Sequence, residues 1–111
     1  MSHPLREPTF LILVALADAE RHGYAIIKEV EKLSGGRLVL GPGTLYGALD
    51  RLSDEGLIEP TRTESVDGRM RRYYAITRSG RECVQTEAIQ RSQVLRAAKV
   101  RLGRRPRGAL A

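Results

Sequence analysis

The stretch Gly41-Pro42-Gly43-Thr44-Leu45-Tyr46-Gly47-Ala48-Leu49-Asp50-Arg51-Leu52-Ser53-Asp54-Glu55-Gly56 opens on a dipeptide suited to a helix start and closes on a glycine suited to a left-handed stop. At helical spacing Leu45, Ala48, Leu49 and Leu52 form one apolar side, and Gly43, Gly47, Asp50 and Asp54 lie opposite. The outward face is therefore nearly bare. A glycine inside a helix costs about 1 kcal/mol relative to alanine. Gly47 either marks a place where something approaches the backbone closely or is an untuned surface position.

On the N-terminal side, residues from His22 to Ser34 predict a second helix: Ile26, Val30 and Leu33 recur at i, i+4 and i+7 beside Ile27, with Lys28, Glu29, Glu31 and Lys32 on the polar side. Gly35-Gly36 ends it. Pro8 followed by Thr9 to Ala19 predicts a first helix, apolar on nearly every side, which its own domain or a partner subunit has to cover. On the C-terminal side, Leu57 to Glu64 and Arg69 to Ile76 predict two strands around Ser65-Val66-Asp67-Gly68, whose Asp-Gly pair favours a tight hairpin. Pro60 marks the first of them as an edge strand. Thr77 can cap a last helix running to about Leu102, along which Val84, Ala88, Leu95, Ala98 and Leu102 make a stripe with little of the domain left to cover it.

Three helices followed by a hairpin is the order of a winged helix-turn-helix, in which the second helix of the pair enters the major groove. The expected fold class is mainly α with a small β-hairpin: a winged helix-turn-helix over residues 1–77, a C-terminal dimerisation helix over 78–102 and a disordered basic tail over 103–111.

A length of 111 residues suits one domain. With 41% hydrophobic residues but one Phe, four Tyr and no Trp, the core has to come from Leu, Ile, Val and Ala. The net charge of +6 is unevenly spread: residues 1–60 carry six Lys or Arg against nine Asp or Glu, and residues 61–111 carry thirteen against four. A local basic surplus, sixteen of its nineteen cations in the whole chain being Arg, suggests a polyanionic partner that arginine can grip with paired hydrogen bonds. The lone Cys83 cannot close an internal disulfide and no Cys/His cluster has zinc spacing, so no metal or other cofactor and a reducing, cytoplasmic compartment are expected. The run Phe10 to Ala17 is eight residues long and Glu7-Pro8 interrupts its approach, so it reads as a helix of the domain and not as a secretory leader. It is also far short of the roughly 20 apolar residues that span a bilayer.

Thr44 and Tyr46 occupy the first turn of the Gly41–Gly56 helix, where side chains first meet base edges and the helix end faces phosphate. Tyr46 can donate its hydroxyl to a phosphate or pack its ring on the second helix. Asp50 can accept from a cytosine amino group or stand clear of the groove. By alternation Arg69 and Arg71 share one face of the hairpin, and Met70, Arg72 and Tyr74 share the other. With Arg62 these make an arginine-rich wing of which at least two members should be free for phosphate.

Taken together, His22-Gly23-Tyr24-Ala25-Ile26, Gly43-Thr44-Leu45-Tyr46, Leu49-Asp50-Arg51-Leu52, Glu55-Gly56-Leu57-Ile58, Gly68-Arg69, Arg72-Tyr73-Tyr74-Ala75-Ile76-Thr77 and Gly80-Arg81 strongly resemble the PadR family of transcriptional regulators, over roughly residues 5–85. The resemblance implies a homodimer, usually a repressor, joined through the C-terminal helix with help from the first and released from operator DNA by a small molecule or stress signal. It also marks Tyr24, Tyr46 and the Gly68-Arg69 wing tip as DNA contacts. The expected DNA-binding set is Tyr24, Lys28, Gly43, Thr44, Tyr46, Gly47, Arg51, Gly68, Arg69 and Arg71, and the expected dimerisation set is Phe10, Leu11, Val14, Val84, Ala88, Leu95, Ala98 and Leu102. The single C-terminal helix resembles the short subfamily, some members of which hold flat aromatic drugs between tryptophans that this chain lacks.

An enzyme is not expected. Gly36 and Gly41 have phosphate-loop spacing, but Pro42 and Gly43 stand where Lys and Ser or Thr are required. Cys83 reads as a packed small residue. The competing reading is a winged helix that binds protein or RNA, since fold alone does not settle function.

Overall fold

The computed structural model describes residues 5–104, so the part of the expected basic tail from residue 105 onward lies outside the described residues. In chain order the elements are α1 (Glu7–Ala15), β1 (Arg21–His22), α2 (Gly23–Leu33), α3 (Pro42–Asp54), β2 (Ile58–Val66), β3 (Arg69–Ile76) and α4 (Arg78–Leu102). The strands form one antiparallel sheet in the order β1-β3-β2.

The caps explain most of the helix ends. Gly41 precedes α3 in extended conformation and Pro42 begins it, while Gly56 takes φ +76° just beyond it. Thr77 caps α4 by accepting from the Gly80 amide at 3.1 Å, and its hydroxyl also donates to the Gly56 carbonyl at 2.6 Å. His22 and Ser34, read from sequence as the ends of the second helix, are its two caps.

Two expectations are corrected. The first helix begins at Glu7 and ends at Ala15, four residues before the expected Ala19. Arg21 Nε donates to the Ala15 carbonyl at 2.7 Å, and the chain turns there to deliver Arg21 and His22 opposite Tyr74 and Tyr73. Long-range strand pairing therefore overrides the apolar run. The hairpin also gains that third strand, β1, which is too short to leave a period in the sequence.

The core lies where α1, α2 and α3 meet the inner face of the sheet. Ile12, Leu13, Leu16, Ile26, Val30, Leu45, Leu49, Leu52 and Ile58 are its fully buried side chains. The all-round apolarity of α1 is explained within the chain, since Leu11, Ile12, Leu13, Ala15 and Leu16 are all buried by their own domain.

The first turns of α4 complete that core. Gly80 is buried against Leu57 and Ile76, and Val84 packs on the cluster. Farther along, Arg91 bonds Glu87, donates to the Leu5 carbonyl at 2.9 Å and stacks 4.0 Å over the Phe10 ring. Beyond Arg91 the helix outruns the domain, and the described residues measure 66 × 30 × 21 Å. Leu95 is 62% exposed and Leu102 85%.

Candidate nucleic-acid interface

The helix α3 buries Leu45, Ala48, Leu49 and Leu52 and exposes Gly43, Thr44, Gly47, Asp50 and Asp54. No atom within 4 Å would meet a Cβ built on Gly43 or Gly47. That face carries no side chain at Gly43 or Gly47 and is open to solvent. On one flank Tyr46 leans on the start of α2, where a Cβ on Gly23 would lie 2.5 Å from its hydroxyl oxygen and 2.9 Å from Cζ. Both alternatives weighed for Tyr46 are compatible with this pose: the ring packs on α2 and the side chain is still half exposed. Beside it Tyr24 is exposed, with Lys28 Nζ 5.4 Å above its ring.

The wing follows from β2 and β3, joined by a two-residue turn. Asp67 (φ +51°) and Gly68 (φ +76°) both have positive φ, the geometry that matches the twist of a hairpin. Arg69, Arg71 and Arg72 are exposed, and no carboxylate among the described residues forms an ion pair with them. Arg62 is different. A bulge between Pro60 and Arg62 inserts Thr61, so both Thr61 and Arg62 reach Glu20, at 2.7 and 2.6 Å. Arg62 also donates to Glu64 at 2.6 Å and lies 3.8 Å over the Tyr73 ring. These contacts hold the Glu20 and Glu64 carboxyls below their ordinary range, Glu20 first through Thr61 and then Arg62, Glu64 chiefly through Arg62. Arg62 thus braces the wing root to the loop before α2, leaving three arginines free toward the tip.

His22 ties these parts together. Its Nδ1 accepts from the Ala25 amide at 3.3 Å to cap α2, and its ring meets Tyr73 of the wing edge to face at 5.3 Å. Burial, then the charge of Arg71, pushes its pKa below the usual imidazole value, against a smaller pull from Glu64. The unfolded chain accordingly takes up a proton that the folded chain resists. Stability is full above the unfolded value of about 6.5 and falls as pH drops through it toward the folded pKa. A His22→Asn chain keeps a capping acceptor and cannot titrate. Melting curves at pH 7.5 and 5.5 should show wild type losing more Tm than His22→Asn; equal losses would put the pH dependence elsewhere.

The other candidates are distributed unevenly. Tyr46 from α3, Gly23 and Tyr24 from α2, His22 of β1 and Tyr73 at the wing root form a chain of neighbours, and Arg71 lies farther out toward the wing tip. Arg51 lies on the opposite flank of α3 from Tyr46 and donates to Thr9 of α1 at 3.5 Å, apart from that chain. Among the expected dimerisation residues Leu11 is buried in the protomer's own core, Phe10, Val14 and Val84 are half-buried, and Ala88, Leu95, Ala98 and Leu102 are exposed. Ile89, Val94 and Val100, missed by the sequence stripe, are exposed on α4 as well. Cys83 is half-buried, and burial, then the charges of Glu87 and Glu55, raises its thiol pKa, which favours the thiol over the thiolate. Among the described residues no cluster of His, Cys, Asp and Glu could hold a metal, and no helix is long and apolar enough to cross a membrane. Sequence reasoning missed the Glu20, Thr61 and Arg62 brace. Its one visible signal was Pro60 inside a strand, which announces an edge or bulge without saying what the bulge serves.

A family model for the PadR-like transcriptional regulators matches residues 12–86, more than half of the chain. The chain belongs to the PadR family. Transcriptional regulator Rv3488 of Mycobacterium tuberculosis is 43% identical over 70 residues, covering 63% of this chain and 62% of that protein. Transcriptional regulator YqjI of Escherichia coli is 30% identical over 95 residues, covering 86% of this chain and 44% of that one. The chain spans between about a fifth and two thirds of the length of the curated relatives it matches. A PadR family regulator from Clostridium difficile superposes with a TM-score of 0.73 at 25% identity, covering 88% of this chain and 100% of the other. Bacillus subtilis PadR, solved in complex with operator DNA, gives 0.67 at 22% identity over 96% of this chain and 54% of its own, a likeness of fold. The PadR match spans α2, α3, both long strands and the start of α4, so every part of the candidate interface falls inside it.

Proposed function

We propose that this PadR family chain is a homodimeric, cytoplasmic repressor that binds a pseudo-palindromic operator and leaves it when a small-molecule effector or stress signal binds. The observation that carries the reading is the contiguity of three elements. The first turns of α3, the start of α2 and the wing root touch one another through Tyr46, Gly23, His22 and Tyr73, with free arginines continuing along the hairpin. A bare α3 face, with glycine at positions 43 and 47, admits a groove wall, while Arg69, Arg71 and Arg72 neutralise phosphates. Bacillus subtilis PadR, which shares the fold, was crystallised on its operator.

Two copies are proposed because the face of α4 that begins with Gly80, Val84 and Arg91 continues as Leu95, Ala98 and Leu102 with none of the described residues over it. A two-fold dimer would present two α3 helices to half-sites about one helical turn apart, roughly 34–36 Å.

Selection of duplexes from a random-sequence pool tests the reading: recovery of an inverted repeat supports it, and no enrichment, or preference for RNA or a protein partner, rejects it. With a selected duplex in hand, Arg69→Ala should weaken binding to all sequences and lower the slope of log K against log salt by about 1. Thr44→Ala or Gly47→Ala should instead change preference at particular base positions. Uniform loss for the α3 substitutions would move base reading to another element.

A further inference from the structure

We infer that Gly23 is a positioning residue for Tyr46: the missing side chain at the first residue of α2 is the notch in which the Tyr46 ring is seated, so its hydroxyl is held at the DNA-facing edge of α3. The inference rests on the DNA-binding reading above. It is carried by a steric fact. An alanine Cβ at position 23 would stand 2.5 Å from Tyr46 Oη and 2.9 Å from Cζ, closer than a real methyl group sits, and 3.2 Å from Cε1, tighter than most such contacts. Gly23 needs no unusual backbone to explain its glycine, since the positive-φ glycines are Gly35, Gly36, Gly56 and Gly68. Close approach of the ring is what requires a residue without a side chain.

The clash falls on the far end of a flexible side chain and not on backbone. An alanine at position 23 therefore pushes the Tyr46 ring away and leaves the fold in place. Tyr46 has room to move, being half exposed, and its neighbours on the outward side are the open positions Gly43 and Gly47. Seated on Gly23, the ring loses that freedom. The hydroxyl is thereby ordered before DNA arrives, which removes an ordering cost from binding. His22 caps α2 one residue earlier, so the seat is itself fixed by a hydrogen bond to Ala25.

A double-mutant cycle on the full chain tests this, using the tightest duplex from the random-sequence selection as probe. Gly23→Ala should lose about tenfold in affinity, the scale of one charge-assisted hydrogen bond, with an unchanged or slightly raised Tm. Tyr46→Leu should lose at least as much. In the Tyr46→Leu background Gly23→Ala should cost nothing further, because the atoms it displaces are gone. Fully additive losses, or no loss for Gly23→Ala alone, overturn the inference while leaving the DNA-binding reading intact. Loss of cooperative unfolding in Gly23→Ala overturns it too, by showing the seat to be structural. A wild-type chain that prefers no duplex overturns both readings together.

Discussion

Gly80→Ala is expected to destabilise the chain by about 3 kcal/mol or more, as an overpacked backbone contact in the core, with a fall in Tm of roughly 15 °C for a domain of this size. The sign is opposite to what helix propensity alone dictates, since alanine is better than glycine inside a helix by about 1 kcal/mol. The reason is local crowding. A Cβ at this position would overlap the Leu57 carbonyl oxygen and stand 2.7 Å from Ile76 Cγ1. The carbonyl cannot withdraw, because the Thr77 amide is bonded to it at 3.0 Å and the Thr77 hydroxyl is bonded to the preceding carbonyl, that of Gly56. The first turn of α4 would have to lift off the junction between α3 and β2, opening the core at Val84 and Ile76. Thermal melting of Gly80→Ala beside Thr77→Ala, which removes the cap, worth about 1 kcal/mol, and the hydroxyl's bond to the Gly56 carbonyl but adds no Cβ against Leu57, separates the crowding from the lost hydrogen bonds. A Gly80→Ala chain as stable as wild type would mean that α4 is not held here.

If the proposed dimer forms through α4, Leu95→Glu is expected to yield monomer and to reduce affinity for the selected duplex by about 10² to 10⁴, the advantage two linked half-site contacts have over one. Leu95 lies one turn beyond Arg91, where α4 leaves its own domain, and is 62% exposed. Inside a protomer the substitution touches little, so folding should survive. Between two copies it would bury a carboxylate without a partner, which interfaces do not tolerate. Light scattering gives the oligomeric state and a titration with the selected duplex gives the affinity. A Leu95→Glu chain that remains dimeric moves the interface elsewhere, to the ridge of Ile89 and Val100 first. A monomer that binds as tightly as wild type would remove the need for two copies.

Much of the candidate site was legible from local pattern. The buried and bare faces of α3 follow from spacing, because a helix places residues three and four apart on one side whatever surrounds it. The Asp67-Gly68 turn and the Thr77 cap were equally legible, each being set by the conformational preference of one or two residues. Arg62 shows the limit. It is one of four wing arginines in sequence, of which at least two were expected to be free, and only the bulge at Thr61 and the arrival of Glu20 from 42 residues away show that Arg62 is one of those tied down. Gly23 shows it again, since an ordinary φ gives no sign that a ring rests on it.

The sequence by itself determined that this chain is three helices, a wing and a long last helix, because periodicity, caps and turn residues act within a few positions of one another. Tertiary structure decided the rest. It ended α1 at Ala15 in favour of the β1 pairing, kept Leu11 in the core and away from any partner, and brought the α3 first turn, the α2 start and the wing root onto one surface. Those outcomes depend on contacts between residues far apart in the chain, whose energies no local pattern contains.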